Sequence, residues 1–172
     1  MSEPRTVWSG RYIAAIVDGR WEYVVRTRSI GAAVILAIEE DHVLLVEQYR
    51  VPLGAPCLEL PAGLVGDDTA GEAIETAALR ELEEETGYTA ARIEILGKFA
   101  SSPGMVGEIF TLVRAVDPKR MADGGGDGDE DITVYRVALA DVASFVAARR
   151  AAGVIIDVKL LLLLGAGMIA GD

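Results

Sequence analysis

An α+β fold, a mixed sheet flanked by helices, follows from three features of this 172-residue chain. Short β-rich runs dominate its first part. A helical stretch with distinct polar and apolar sides then interrupts them, and two further helical stretches close the chain after the last strand-like run. The chain shows no internal repeat and no obvious linker, and its length suits one domain with a substantial core.

The elements follow in order. RYIAAIVDGRWEYVVRTRS reads as a hairpin whose two β-rich runs meet at Asp18-Gly19, a favoured two-residue turn. IGAAVILAI and HVLLVEQYR form a second strand pair around a polar turn. PCLELPAGL leads through the Gly/Asp-rich VGDD into a helix expected over 69–86, with Gly87 in the C-terminal position glycine favours. ARIEILGKF and EIFTLVRAV continue the sheet, and ADGGGDGDED is too glycine-rich and acidic for regular structure. ITVYRVAL is the last strand, and ADVASFVAARRAA and IDVKLLLLLGAG are two closing helices.

Composition excludes several classes of function. A net charge of -11 argues against nucleic-acid or anionic-membrane surfaces, which need basic patches. Cys57 is the only cysteine, so no intrachain disulfide forms, and a reducing, cytoplasmic setting is expected. With His42 the only histidine, a zinc site of these residue types is not expected. MSEPRTVWSGR lacks the apolar run of a signal peptide. The apolar stretch 160–170 is too short to span a bilayer, and Asp157 and Lys159 bar its extension; a buried helix near a subunit contact is expected.

The segment RELEEETGY, 80–88, sets the functional question, because like charges at helical spacing repel. At about 100° per residue, Ile74, Ala77 and Ala78 fall within roughly 60° of Glu81. Glu84 and Glu85 fall in the same sector, whereas Glu72, Thr76 and Glu83 lie opposite and are expected to be solvated. The helix thus points three carboxylates where its first turns point apolar residues. Clustered carboxylates without histidine or thiolate suit a hard divalent cation, Mg²⁺ or Mn²⁺.

Gly66, then Glu72, then RELEEETGY resembles the Nudix box, met at each specified position over 66–88 with Tyr88 where an aliphatic residue is usual. The resemblance implies a Nudix-type α/β/α sandwich and hydrolysis of a nucleoside diphosphate linked to another group. It divides the chain into an N-terminal strand hairpin, 1–29, and a catalytic domain, 30–172. It implies that Glu81 and Glu85 lead the metal ligands with Glu84 sharing the ions, and that Arg80 orients the glutamates through charge-assisted hydrogen bonds. Glu72 is then structural.

Outside the box, EQYRVPLG, ELPAGLV, SPGMVGE and GDGDEDI resemble the ADP-ribose pyrophosphatase group. That resemblance adds the Ala62 carbonyl to the metal shell, brings Arg50 to the diphosphate, and places Gly104 and Glu108 at the site. It implies a homodimer that exchanges its N-terminal strands, with Trp21 stacking on adenine and Glu22 and Arg26 contacting substrate. Trp8 is a looser candidate for a second stacking face. The resemblance also implies that an acid of this loop serves as general base or added metal ligand: Glu130 matches best, with Asp129 and Asp131 as alternatives. An EF-hand reading of this loop fails, because Ile132 stands where glycine is required.

The implied reaction is Mg²⁺-dependent hydrolysis of ADP-ribose to AMP and ribose 5-phosphate. Water attacks one phosphorus while the bridging oxygen leaves with the other phosphate, and cations between protein and substrate offset the acidic charge. The neighbouring expectation is another nucleotide-sugar, such as GDP-mannose. A non-catalytic ligand-sensing domain or a structural dimer module is a rival from another class, which the intact Glu81, Glu84 and Glu85 disfavour.

Overall fold

The computed structural model describes residues 3–28, 30–66, 71–126 and 131–170. The N-terminal strands are β1 (Arg5–Ser9), β2 (Ile13–Asp18) and β3 (Trp21–Arg26), which form an antiparallel sheet in that order. The anticipated hairpin is present with its turn shifted by one. Asp18 pairs with Trp21, so Gly19 and Arg20 make the turn, and Gly19 takes the left-handed φ of 60°. β1 was not expected, since a short, fully exposed strand carries little periodic signal.

The main sheet contains β4 (Gly31–Glu39), β5 (His42–Arg50), β6 (Ala55–Glu59), β7 (Ala62–Val65), β9 (Arg92–Ala100), β10 (Ile109–Val116), β12 (Thr133–Ala138) and β13 (Ile155–Ile156). β8 (Tyr88–Thr89) and β11 (Lys119–Arg120) form a small separate ladder. The central order is β13-β6-β5-β4-β10-β9, with β7 also on β4 and β12 also on β5. The β4–β10 and β6–β13 pairings are parallel and the others antiparallel, so the sheet is mixed.

The alternation along β4 divides the core between the sheet's two faces, as a period of two requires. Ala33, Ile35 and Ala37 pack with Leu44, Val113 and the α1 (Ile74–Thr86) residues Ala78 and Leu82. Val34 and Leu36 pack on the other side with Leu58, Leu112, Val142, Val146 and Leu160. Val142 and Val146 belong to α2 (Val142–Ala151), and α3 (Leu161–Ala170) follows Leu160. Alanines at 33, 37, 77 and 78 let α1 approach the sheet closely, which places its acidic side beside β7. The result is a helix–sheet–helix sandwich. None of the described helices is long and apolar enough to cross a membrane.

Two expectations change here. The helix begins at Ile74 rather than near 69, because Gly71 is left-handed at φ 80° and Ala73 is the extended cap; 67–70 lie outside the described residues. The C-terminal helix is only partly buried. Leu160 has no exposure, but Leu161 and Leu162 are exposed.

Candidate active site

α1 ends at Gly87, left-handed at φ 73°, whose N–H donates to Glu83 O at 2.8 Å. The glycine-rich segment after β11 then completes that end. Gly125 N–H donates to Glu85 O and Gly126 N–H to Glu84 O, both at 3.0 Å, satisfying carbonyls that the helix leaves without partners. Gly124 has no room for a Cβ, which would meet the backbone of Glu85 and Thr86. The start of the acidic loop is therefore anchored to the turn carrying Glu84 and Glu85. Asp131 is exposed, whereas 127–130, including Glu130, Asp127 and Asp129, lie outside the described residues.

The three carboxylates of the α1 apolar sector open into a cleft of about 620 Å³, a volume typical of small-molecule sites. Its lining includes Glu81, Glu84 and Glu85 from α1, Ala62 and Gly63 from β7, Arg50 and Glu59 at the ends of β5 and β6, and Arg26 with Glu108. Glu85 is buried and accepts the Ala62 N–H at 2.9 Å. Glu81 occupies a recess that only glycine at 63 leaves open, since a Cβ there would overlap its carboxyl group.

Arg80 organises this cluster. Its Nη1 is 2.8 Å from Glu84 and 2.9 Å from Glu81, its Nε is 3.4 Å from Glu72, and its Nη2 donates to Leu64 O. Burial works to lower the Arg80 pKa, but Glu72, Glu81 and Glu84 together outweigh it and raise it above its ordinary value. Glu72 is a correction to the expected solvated position. It precedes the helix, folds back, and accepts the Gly66 N–H at 3.2 Å with its side chain only 8% exposed. That bond foremost, then Arg80, lowers its pKa against an opposing effect of burial. Glu83 is exposed, as its phase predicts.

Arg50 forms a two-point pair with buried Glu59, Nε to Oε1 and Nη2 to Oε2. That hydrogen bond, opposed by burial, raises the Arg50 pKa. Arg26 pairs with Glu108 across the cleft. This contact, the Val24–Val106 bridge and the Gly107 N–H to Val24 O bond tie the N-terminal sheet to the loop between β9 and β10.

The structure thus gathers Arg26, Arg50, Ala62, Arg80, Glu81, Glu84, Glu85 and Glu108 in one cleft. It does not bring Trp21, Glu22 or Gly104 into that lining. Trp21 is 55% exposed at the tip of the β2–β3 hairpin, with Arg20 over its ring, and Gly104 lies on an open turn. Trp8 is exposed on β1. Glu59, Gly63, Gln48 and Lys159 are lining residues that sequence reasoning missed. ELPAG held the signal for the first two, but only the fold shows that Glu59 faces Arg50 and Gly63 faces Glu81.

Among the described residues no three acidic, histidine or cysteine side chains are gathered so as to hold a metal as they stand. Arg80 lies against Glu81 and Glu84, and the Ala62 amide holds Glu85. The donor set still has the chemistry of a hard-cation site. It offers carboxylates without histidine or cysteine, and the Gly63 recess seats one of them.

A model of the NUDIX domain matches residues 27–157, which include the whole cleft cluster apart from Arg26 and Lys159. The chain belongs to the Nudix hydrolase family. It is 35% identical over 152 residues to the methanol dehydrogenase activator of Bacillus methanolicus, covering 84% of this chain and 80% of that one. With the ADP-ribose pyrophosphatase of Bacillus subtilis it shares 38% identity over 125 residues, 69% of this chain but only 64% of the relative. The GDP-mannose pyrophosphatase of Cronobacter sakazakii is 36% identical over 149 residues, 81% of this chain and 74% of the relative. A crystal structure of an ADP compounds hydrolase superposes with a TM-score of 0.69 over 99% of this Nudix chain and 94% of its own. At 23% identity, that last similarity bears on the fold alone.

Proposed function

We propose that this Nudix hydrolase cleaves the diphosphate of ADP-ribose, with Mg²⁺, to AMP and ribose 5-phosphate. The observation that carries this reading is the cluster of Glu81 and Glu84 on Arg80 with Glu85 on the Ala62 N–H, in one cleft with Arg50 and Arg26. Glu81, Glu84, Glu85 and the Ala62 carbonyl are the groups that would hold divalent cations. Bound there, such ions supply charge neutralisation at the phosphate oxygens and lower the pKa of an attacking water.

The protein's own groups do the positioning. Arg80 fixes two carboxylates at once, and the Ala62 N–H fixes the third. Arg50 and Arg26, steadied by Glu59 and Glu108, offer guanidinium donors suited to phosphate oxygens. Water adds to one phosphorus, the bridging oxygen leaves with the other phosphate, and the water's proton passes to a carboxylate. We assign that role to Glu130, beyond the Gly126 N–H that anchors its loop to Glu84.

The exposure of Val7, Trp8, Ile13 and Trp21 supports the dimeric part of the reading, in which a partner covers the N-terminal sheet. Trp21 and Glu22 then complete the base pocket of the opposite subunit.

Incubation with ADP-ribose and a panel of nucleotide sugars, with and without Mg²⁺, tests the assignment by product chromatography. Mg²⁺-dependent AMP from ADP-ribose, faster than from any other compound, is the expected result. Preference for GDP-mannose would overturn the substrate and retain the chemistry. No turnover with Mg²⁺ or Mn²⁺ would overturn both.

A further inference from the structure

Lys159 belongs to none of the roles assigned so far. It follows the segment matched by the family, in the single 3-10 turn Val158–Leu160, yet lines the same cleft as the α1 carboxylates. Asp157 holds it at two points. Oδ1 accepts the Lys159 N–H at 2.7 Å, and Oδ2 accepts from the ammonium. The ammonium also lies 5.9 Å from the centre of the Phe110 ring, which stacks on Phe99. The side chain is 17% exposed.

A purely structural role would be capping of the 3-10 turn. That cap uses only Oδ1 of Asp157 and the Lys159 backbone; the ammonium is held separately, by Oδ2 and beside the Phe110 ring. The charge pattern of the cleft gives that ammonium a use. Arg26, Arg50 and Arg80 each pair with a carboxylate that itself lines the cleft: Glu108, Glu59 and Glu84. Asp157, the partner of Lys159, instead lines a separate groove beside α2 and α3. Among the described lining residues, Lys159 is the cation whose countercharge stands behind the cleft wall. One of its three ammonium donors meets Asp157, which leaves two for an anion bound in the cleft that Lys159 lines.

We infer that Lys159 is a substrate-binding residue whose ammonium, positioned by Asp157, hydrogen-bonds a phosphate oxygen of the diphosphate. The inference rests on the cleft being the diphosphate site. Lys159 thereby draws the C-terminal segment into the active site, and Asp157 is its positioning residue.

Isothermal titration of the full chain with ADP in Mg²⁺ reads this contact directly. Lys159→Met should weaken ADP binding by roughly tenfold to a hundredfold, the range of a charge-assisted hydrogen bond, and Lys159→Arg should restore most of it. Asp157→Asn should give a smaller loss. Steady-state kinetics on whichever compound is turned over should place the Lys159→Met defect chiefly in KM. Wild-type affinity in Lys159→Met overturns the inference, as does a defect that arginine leaves unrelieved, or a wild-type chain that binds no ADP. If Lys159→Met lowers the Tm sharply, Lys159→Gln carries the same comparison. Failure of the whole substrate panel would remove the ADP-ribose assignment, while the ADP titration would still decide Lys159.

Discussion

Gly63→Ala should inactivate the site while sparing the fold. A methyl group built on Gly63 would overlap Cδ and both oxygens of Glu81. Those atoms end a flexible side chain, so the clash is relieved by rotating Glu81 rather than by moving β7 or α1. Rotation costs about 0.5–1.5 kcal/mol in off-rotamer strain. It also removes one of the three carboxylate contacts of Arg80, leaving Glu72 and Glu84. A total near 2 kcal/mol corresponds to a Tm fall of roughly 4–8 °C for a chain of this size. A displacement of about 1 Å in a positioned group costs on the order of a hundredfold in rate. Thermal unfolding beside Mg²⁺-dependent turnover measures both quantities. Gly63→Ala added to Glu81→Gln should cost little beyond Glu81→Gln alone, because both act through one carboxylate. Unchanged turnover and Mg²⁺ requirement in a folded Gly63→Ala protein would refute the idea that the recess positions Glu81.

Gly124→Ala is the converse case, because its added Cβ meets the backbone of Glu85 and Thr86, which cannot rotate away. It should cost about 3 kcal/mol and lower the Tm by roughly 6–12 °C, and a Tm within a degree of wild type would contradict the docking of that loop. The depressed Glu72 carboxyl contributes stability that is complete above the ordinary glutamate range and is lost as pH falls through its lowered value. Glu72→Gln should therefore flatten the acid side of the Tm–pH curve, and an unaltered acid limb would rule out this linkage. Burial, and then Glu59, pushes the Cys57 thiol up to about 12; a thiol reagent at neutral pH should label it only on unfolding, and rapid labelling of native protein would show otherwise. Trp21→Ala should raise KM for ADP-ribose while sedimentation reports a dimer. A monomer, or an unchanged KM, removes Trp21 from the base pocket.

Local rules carried much of the architecture. The alternation in IGAAVILAI divides Ala33, Ile35 and Ala37 from Val34 and Leu36, as the two core faces require. The helical phase of 74–86 turns Glu81, Glu84 and Glu85 toward the cleft and Glu83 toward solvent. Phase fails at Glu72, because Gly71 and Ala73 keep that residue off the helix and Gly66 recaptures its carboxylate. The one-residue shift of the turn from Asp18-Gly19 to Gly19-Arg20 and the pairing of the exposed strand β1 have a related cause, since pairing register depends on the partner strand as well as on the turn residues.

By itself the sequence determined the periodic elements, the acidic cluster and the spacing of RELEEETGY, since each depends on residues within a turn or two of one another. Tertiary structure alone decided that Glu59 answers Arg50, that Glu108 answers Arg26, that Gly63 makes space for Glu81, and that Lys159 enters the cleft from the far end of the chain. Such pairings depend on strand register, as between β5 and β6, or on segments that meet only in the assembled sheet, where β4 brings β7 and β10 together, and no local preference encodes which side chains then share a wall.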